Sequence, residues 1–151
     1  MIKMDEIDKK ILNLLQENYK ISYQELSNKI GMAASTIHNR VQNMIDSGVI
    51  KDFDTLIDPF KVGYETVAML GLSVEPLKIQ EVAKKLASYE EVQLIGTTTG
   101  DHDIIAKVIE KNEKALWRFI NEKVKTIKGV RSKMDVSSFI DIFKMTHKIK
   151  L

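Results

Sequence analysis

The chain has no cysteine. That excludes a disulfide framework, a thiol nucleophile and any cysteine-ligated zinc or iron–sulfur site. Proline is scarce: Pro59 and Pro76 are the only two in 151 residues. With 44% hydrophobic and 29% charged residues, the composition is that of a folded chain, one ordinary domain or two small ones. No apolar run approaches the roughly 20 residues of a membrane span. The opening Met1-Ile2-Lys3-Met4-Asp5-Glu6 turns acidic before any signal-peptide core could form. A soluble cytoplasmic protein is the expectation. Walker loops, dinucleotide fingerprints and His-Glu-x-x-His pairs are also missing. The three histidines, His38, His102 and His147, lie far apart in sequence. Asp101-His102-Asp103 has metal-ligand residue types, but adjacent residues on a strand point alternately and do not converge easily. No catalytic residue, metal or cofactor is expected.

An excess of positive charge is lacking too. The formal net charge is +2. Residues 1–60 hold seven Lys/Arg against nine Asp/Glu, and residues 61–151 sixteen against twelve. Bulk charge therefore gives no argument for nucleic acid, and the case rests on where particular side chains sit.

Helical spacing is clear in the first third. Asp5 is an N-cap with Asp8 three residues on, and Ile7, Ile11, Leu12 and Leu15 recur on one face. Ser22-Tyr23-Gln24-Glu25 is a capping box, Leu26 and Ile30 follow, and Gly31 ends the segment. A third helix is expected from about Ala34 to Ser47. Gly31-Met32-Ala33 leaves room only for a tight turn, so the second and third helices fit a helix-turn-helix. After Gly48, Val49-Ile50-Lys51 and Phe53 to Ile57 read as short extended segments, a small wing.

In the third helix Ile37, Val41, Met44 and Ile45 share a face. Ser35, Thr36, Asn39, Gln42 and Asn43 take the other, with His38 and Arg40 at the flanks. No acid occurs from Ala34 to Ile45. Amides and hydroxyls can bond base edges, and Arg can bond phosphate or guanine. We assign Ser35, Thr36, Asn39 and Asn43 to base edges and His38 and Arg40 to phosphates. The same pattern would also suit the solvated face of an ordinary three-helix bundle.

The order of these segments resembles the Lrp/AsnC, or feast/famine, regulators. Asp5-x-x-Asp8-x-x-Ile11-Leu12-x-x-Leu15-Gln16 is similar to that family's first helix. Ile21-Ser22-Tyr23-x-Glu25-Leu26 with Gly31-Met32 is similar to its second. Ser35-Thr36-Ile37-x-x-Arg40-Val41 through Gly48-Val49-Ile50 is similar to its recognition helix and exit, and Ile57-Asp58-Pro59 with Val62-Gly63 to its linker. The chain departs from the pattern at Ala33, where such regulators commonly carry a capping Ser, and at Asp52, where they often carry Gly. The resemblance implies a DNA-binding transcriptional regulator.

Asp58-Pro59 and Gly63 punctuate the chain, so residues 1–60 are expected to form the helix-turn-helix domain with its linker strand and residues 61–151 a second domain. There, strands are expected at Tyr64–Val74, Val92–Thr98, Ile104–Ile109 and Val130–Phe143. Helices are expected at Lys78–Ser88 and from Asn112 to Gly129. The order is the ferredoxin-like βαββαβ, making the whole chain α+β. Both helices then cover one sheet face. The first strand is apolar on both sides, with Ala68, Leu70, Leu72 and Val74 opposite Val67 and Met69. The third repeats this, with Ile104 and Val108 opposite Ile105 and Ile109. A doubly apolar sheet with one helical layer implies a partner, at least a homodimer. A dimer would offer two reading helices to half-sites about 34 Å apart on duplex DNA.

The resemblance implies more for this domain, namely a RAM/ACT-like module that dimerises, often builds octamers and commonly binds an amino acid. Thr98-Thr99-Gly100-Asp101-His102-Asp103 is similar to the family's Thr-Gly-Asp-aromatic-Asp segment at the effector site. It marks Thr98, Thr99, Gly100, Asp101 and Asp103 as effector-binding candidates. From the residues alone this reads first as a β-hairpin turn, and it is the resemblance that brings in the ligand. Two other functions fit the same sequence: an architectural DNA-binding protein without effector, and a small metabolic enzyme of ferredoxin-like fold.

Overall fold

The computed structural model describes residues 4–151. They fall into two compact units. One holds the chain up to Leu56 together with Met145–Leu151, and the other is Ile57–Lys144. The boundary expected near residue 61 lies close to this division, but the tail does not follow the second domain. The Gln16 side-chain amide donates to the Ile149 carbonyl at 3.0 Å and accepts the Ile149 N–H at 2.6 Å. A side-chain amide thus pairs with a backbone amide and ties the tail to the first helix.

The first unit has three helices, α1 (Glu6–Glu17), α2 (Tyr23–Ile30) and α3 (Ala34–Asp46). Two capping boxes start the first two. The Asp5 carboxylate accepts the Asp8 N–H at 2.8 Å, and the Asp8 carboxylate accepts the Asp5 N–H at 3.1 Å. Ser22 and Glu25 repeat the exchange at 3.1 and 2.9 Å. Each box satisfies helix-end donors that would otherwise have no partner. Gly31 then ends α2 in the left-handed region at φ 80°, which a side chain would resist. Ile11, Leu12, Leu15, Leu26, Ile37, Val41 and Met44 bury together as one core. Each fully buried aliphatic side chain contributes about 1.5–3 kcal/mol. Ile45, expected on that stripe, is exposed, at its edge.

The wing expected after Gly48 forms no ladder among the described residues: 51–58 carry no regular structure. One reason is local, since the Asp52 carboxylate takes the Phe53 N–H at 2.8 Å, a donor a ladder would need.

The second unit runs β1 (Thr66–Val74), α4 (Ile79–Ala87), β2 (Val92–Thr97), β3 (Ile104–Glu110), α5 (Glu113–Arg118) and β4 (Val130–Ser138). Its sheet order is β2-β3-β1-β4, antiparallel throughout. Asn112 caps α5 by accepting the Ala115 N–H at 2.9 Å, and the helix continues as a π-helical segment, Phe119–Val124. Sequence spacing did not reveal that change of pitch. β4 is shorter than expected and stops at Ser138. Phe139 still donates to the Val67 carbonyl at 2.8 Å, but β1 begins at Thr66, and the register that sets Ala68 opposite Ser138 offers nothing to Asp141 through Phe143. Ala68, Leu70, Leu72 and Val74 of β1 pack with Ile104 and Val108 of β3 against Val82, Leu86, Leu116, Phe119, Ile120 and Val124. By strand alternation Met69, Gly71, Ile105 and Ile109 face the other way.

Candidate DNA-reading helix and effector loop

In α3 the core residues Ile37, Val41 and Met44 turn inward. Ser35, His38, Asn39 and Asn43 are exposed, while Thr36 and Arg40 are half-buried. The side chains of Ser35, Asn39 and Asn43 make no hydrogen bond among the described residues, whereas Gln42 donates to Asp46 at 2.8 Å. Three of the four base-edge candidates therefore stand free and outward. Ala33 supplies no side-chain cap to α3, so the first-turn N–H groups lack the usual acceptor.

Arg40 is placed differently from the phosphate contact expected of it. Its Nη1 donates to Asp8 at 2.7 Å and to Asp5 at 2.8 Å. The two acids that start α1 thus hold α3 through a single guanidinium. The Asp8 backbone N–H, and after it the Arg40 guanidinium, keep the Asp5 carboxyl below its ordinary value of 3.8. Sequence reasoning missed this clamp because its partners lie 32 and 35 residues apart. The acid-free run from Ala34 to Ile45 shows only that any acid partner of Arg40 lies outside that stretch of its own helix.

His38 meets Tyr23 of α2 edge-to-face, with ring centroids 5.0 Å apart and an interplanar angle of 72°. Tyr23 stays 39% exposed and belongs to no core cluster.

The loop between β2 and β3 divides into a clamped base and a free tip. The Thr98 hydroxyl donates to the His102 carbonyl at 2.6 Å, and the Thr98 N–H to the Asp103 carbonyl at 3.0 Å. The Asp103 carboxylate accepts the Val74 N–H at 2.7 Å, where the β1–β4 register slips. Thr98 and Asp103 are thus engaged in holding the loop. Thr99, Gly100 and Asp101 are exposed, and the side chains of Thr99 and Asp101 have no partner among the described residues.

His102 anchors the loop from the sheet side. Its ring lies against Gly71 so closely that a Cβ there would meet it at 2.4 Å. Its Nε2 is 3.1 Å from the Asp135 carboxylate on β4, while its Nδ1 is buried without a hydrogen-bond partner. Gly71 and Asp135 are register partners, so one glycine and one acid on adjacent strands make the imidazole's seat. The sequence showed Gly71 only as a break in an apolar strand. No group of three or more His, Asp or Glu suited to a metal occurs among the described residues, and no helix there is long and apolar enough to cross a membrane.

Comparison with known proteins agrees with both units. A family model described as winged helix-turn-helix DNA-binding matches residues 4–51. A model of AsnC-type regulators, described as a C-terminal dimeric alpha+beta barrel domain, matches residues 65–150. An HTH-type transcriptional regulator of Pyrococcus horikoshii is 44% identical over 131 residues, spanning 87% of this chain and 83% of its own. The structure of Escherichia coli AsnC superposes with a TM-score of 0.87 at 27% identity, covering 99% of this chain and 100% of that one. A Neisseria meningitidis transcriptional regulator solved as a complex with L-Met shares the fold, with a TM-score of 0.85 at 23% identity over 97% of this chain and 96% of its own. An acid-free polar helix face on a helix-turn-helix, joined to a βαββαβ domain of a dimeric type, has its explanation in this kinship: the chain belongs to the Lrp/AsnC family and is a DNA-binding transcriptional regulator, not an enzyme.

Proposed function

We propose that a cytoplasmic dimer of this chain reads duplex DNA through α3, with Ser35, Thr36, Asn39 and Asn43 at base edges and His38 at a phosphate. The observation that carries this reading is the free outward face of α3, where Ser35, Asn39 and Asn43 have no competing partner among the described residues. Hydrogen-bonding groups without internal partners bond a base edge at little cost. Arg40 takes a different role from the one its residue type suggests: it braces the reading helix on α1. In binding assays at fixed salt, Asn39→Ala is expected to lower the preference among sites while leaving affinity for random DNA nearly unchanged. An unchanged preference would remove Asn39 from the interface.

We further propose that the β2–β3 loop takes a small amino acid, with Asp101 pairing the ammonium group and the tip at Thr99 and Gly100 closing on the ligand. Thr98 and Asp103 shape the loop instead of touching the ligand. The methionine-bound regulator of the same fold makes amino acids the first ligands to try. Assembly of dimers into octamers, which the family resemblance implies, is the expected quaternary consequence. Light scattering with and without each amino acid tests both points. Asp101→Ala is expected to abolish any ligand-dependent change in mass while leaving the dimer folded, and a response that survives would place the ligand elsewhere.

A further inference from the structure

We propose that Tyr23, on α2 and outside the reading helix, is a positioning residue that holds the His38 imidazole in the orientation in which it meets the DNA backbone. The proposal rests on the reading above that His38 contacts a phosphate.

An exposed histidine on a helix ordinarily samples several rotamers. His38 is exposed, yet the edge-to-face contact with Tyr23 at 5.0 Å and 72° favours one ring orientation. The contact uses the opposed charges of ring edge and ring face, so it is directional as well as apolar. Tyr23 is in turn held in place. It is the first residue of α2, directly after Ser22, whose capping box with Glu25 closes at 3.1 and 2.9 Å. The Ser22 N–H, and next the Ser22 hydroxyl, hold the Glu25 carboxyl below its ordinary value, so the box keeps its charged acceptor. The order of support runs from capping box to Tyr23 to His38.

A core role does not account for Tyr23. It is 39% exposed, and neither it nor His38 is in the cluster around Ile11 and Leu26. What the ring does touch is a side chain of α3 on the surface offered to DNA. A preoriented imidazole meets a phosphate with less rotamer freedom left to lose on binding. The contact also fixes how α3 is set in the groove, because phosphate contacts position a reading element without specifying sequence.

The test compares the full chain with Tyr23→Ala, Tyr23→Phe, His38→Ala and the Tyr23→Ala/His38→Ala double variant, binding one duplex at fixed salt. Circular dichroism checks that each folds. An aromatic pair of this kind corresponds to roughly a two- to tenfold change in binding. Tyr23→Ala is expected to weaken binding by that factor, Tyr23→Phe to bind like the parent, and the double variant to be no weaker than His38→Ala. The His38 ring-proton resonances should lose their ring-current shift in Tyr23→Ala and keep it in Tyr23→Phe. Additive losses in the double variant would overturn the proposal, as would a Tyr23→Phe protein as weak as Tyr23→Ala. Full binding by His38→Ala would instead remove the phosphate contact on which the proposal rests.

Discussion

Replacing Gly71 with alanine would place a methyl group where the His102 ring lies. The new Cβ would stand 2.4 Å from Cδ2, 2.6 Å from Nε2 and 2.8 Å from Cγ of that ring. Carbon atoms settle at about 3.5–4.0 Å, so the imidazole must retreat by roughly 1 Å or more. Its Nε2 is already 3.1 Å from Asp135, and that retreat breaks the contact. Overpacking costs about 1–3 kcal/mol, and the lost contact with the exposed Asp135 carboxylate adds at most about 1 kcal/mol. Against these, alanine in a strand gains about 0.5–1 kcal/mol over glycine. The net is a loss of about 1–3 kcal/mol, seen as a drop of roughly 5–20 °C in the melting of the βαββαβ unit. The decisive comparison is the same substitution made in a His102→Ala background. With the ring gone, Gly71→Ala should be neutral or mildly stabilising. Scanning calorimetry on the four proteins measures both effects. An equal cost in both backgrounds, or none in the parent, would refute the account of Gly71 as the seat of His102.

Three further outcomes follow from the same geometry. Asp103→Ala leaves the Val74 N–H, now held at 2.7 Å, without its acceptor beside a buried strand, and should destabilise that unit by about 1–3 kcal/mol, as denaturant titration would show. Ala33→Ser restores an N-cap acceptor to α3 and should stabilise the helix-turn-helix by about 1 kcal/mol; no gain in its melting temperature would mean that the cap geometry is wrong. Arg40→Ala should lower the stability of the helical unit without altering the salt slope of DNA binding, because Arg40 is engaged by Asp5 and Asp8. The acid sensitivity of this clamp has a definite sign. The Asp5 carboxyl lies below 3.8 in the folded chain, so its contribution is complete above that value and is lost as pH falls through the folded one. Arg40→Ala should therefore destabilise the unit at neutral pH, with the difference shrinking in an acid titration carried well below pH 3.8.

What the sequence disclosed was mostly local. Asp5 with Asp8, Ser22 with Glu25, and Gly31 announce helix ends within three or four residues, and the structure has them there. The succession of strands and helices along the second unit followed from alternation and punctuation, because each strand keeps an apolar face toward α4 and α5. The contacts that escaped are those between distant residues of polar type. Arg40 with Asp5, Gln16 with Ile149, and His102 with Asp135 and Gly71 have no signature in spacing. Each became visible only when the fold brought its partners together. The division of the effector loop is of the same kind. Asp101 and Asp103 look equivalent in sequence, and only the Val74 N–H separates a structural acid from a free one. The end of β4 differs from the expectation because an apolar tail through Phe143 reads as strand, whereas the register of Ala68 with Ser138 leaves Asp141 through Phe143 beyond the start of β1.

The most direct test of the central claim is selection of bound duplexes from a random DNA pool by the full chain, at two salt concentrations and with and without pooled amino acids. The account predicts a palindromic motif whose half-sites lie about one helical turn, or a multiple of it, apart. It also predicts that Asn39→Ala blurs that motif. Salt-sensitive binding with no motif under any condition would contradict sequence-specific reading by α3 and leave an architectural DNA-binding protein in its place.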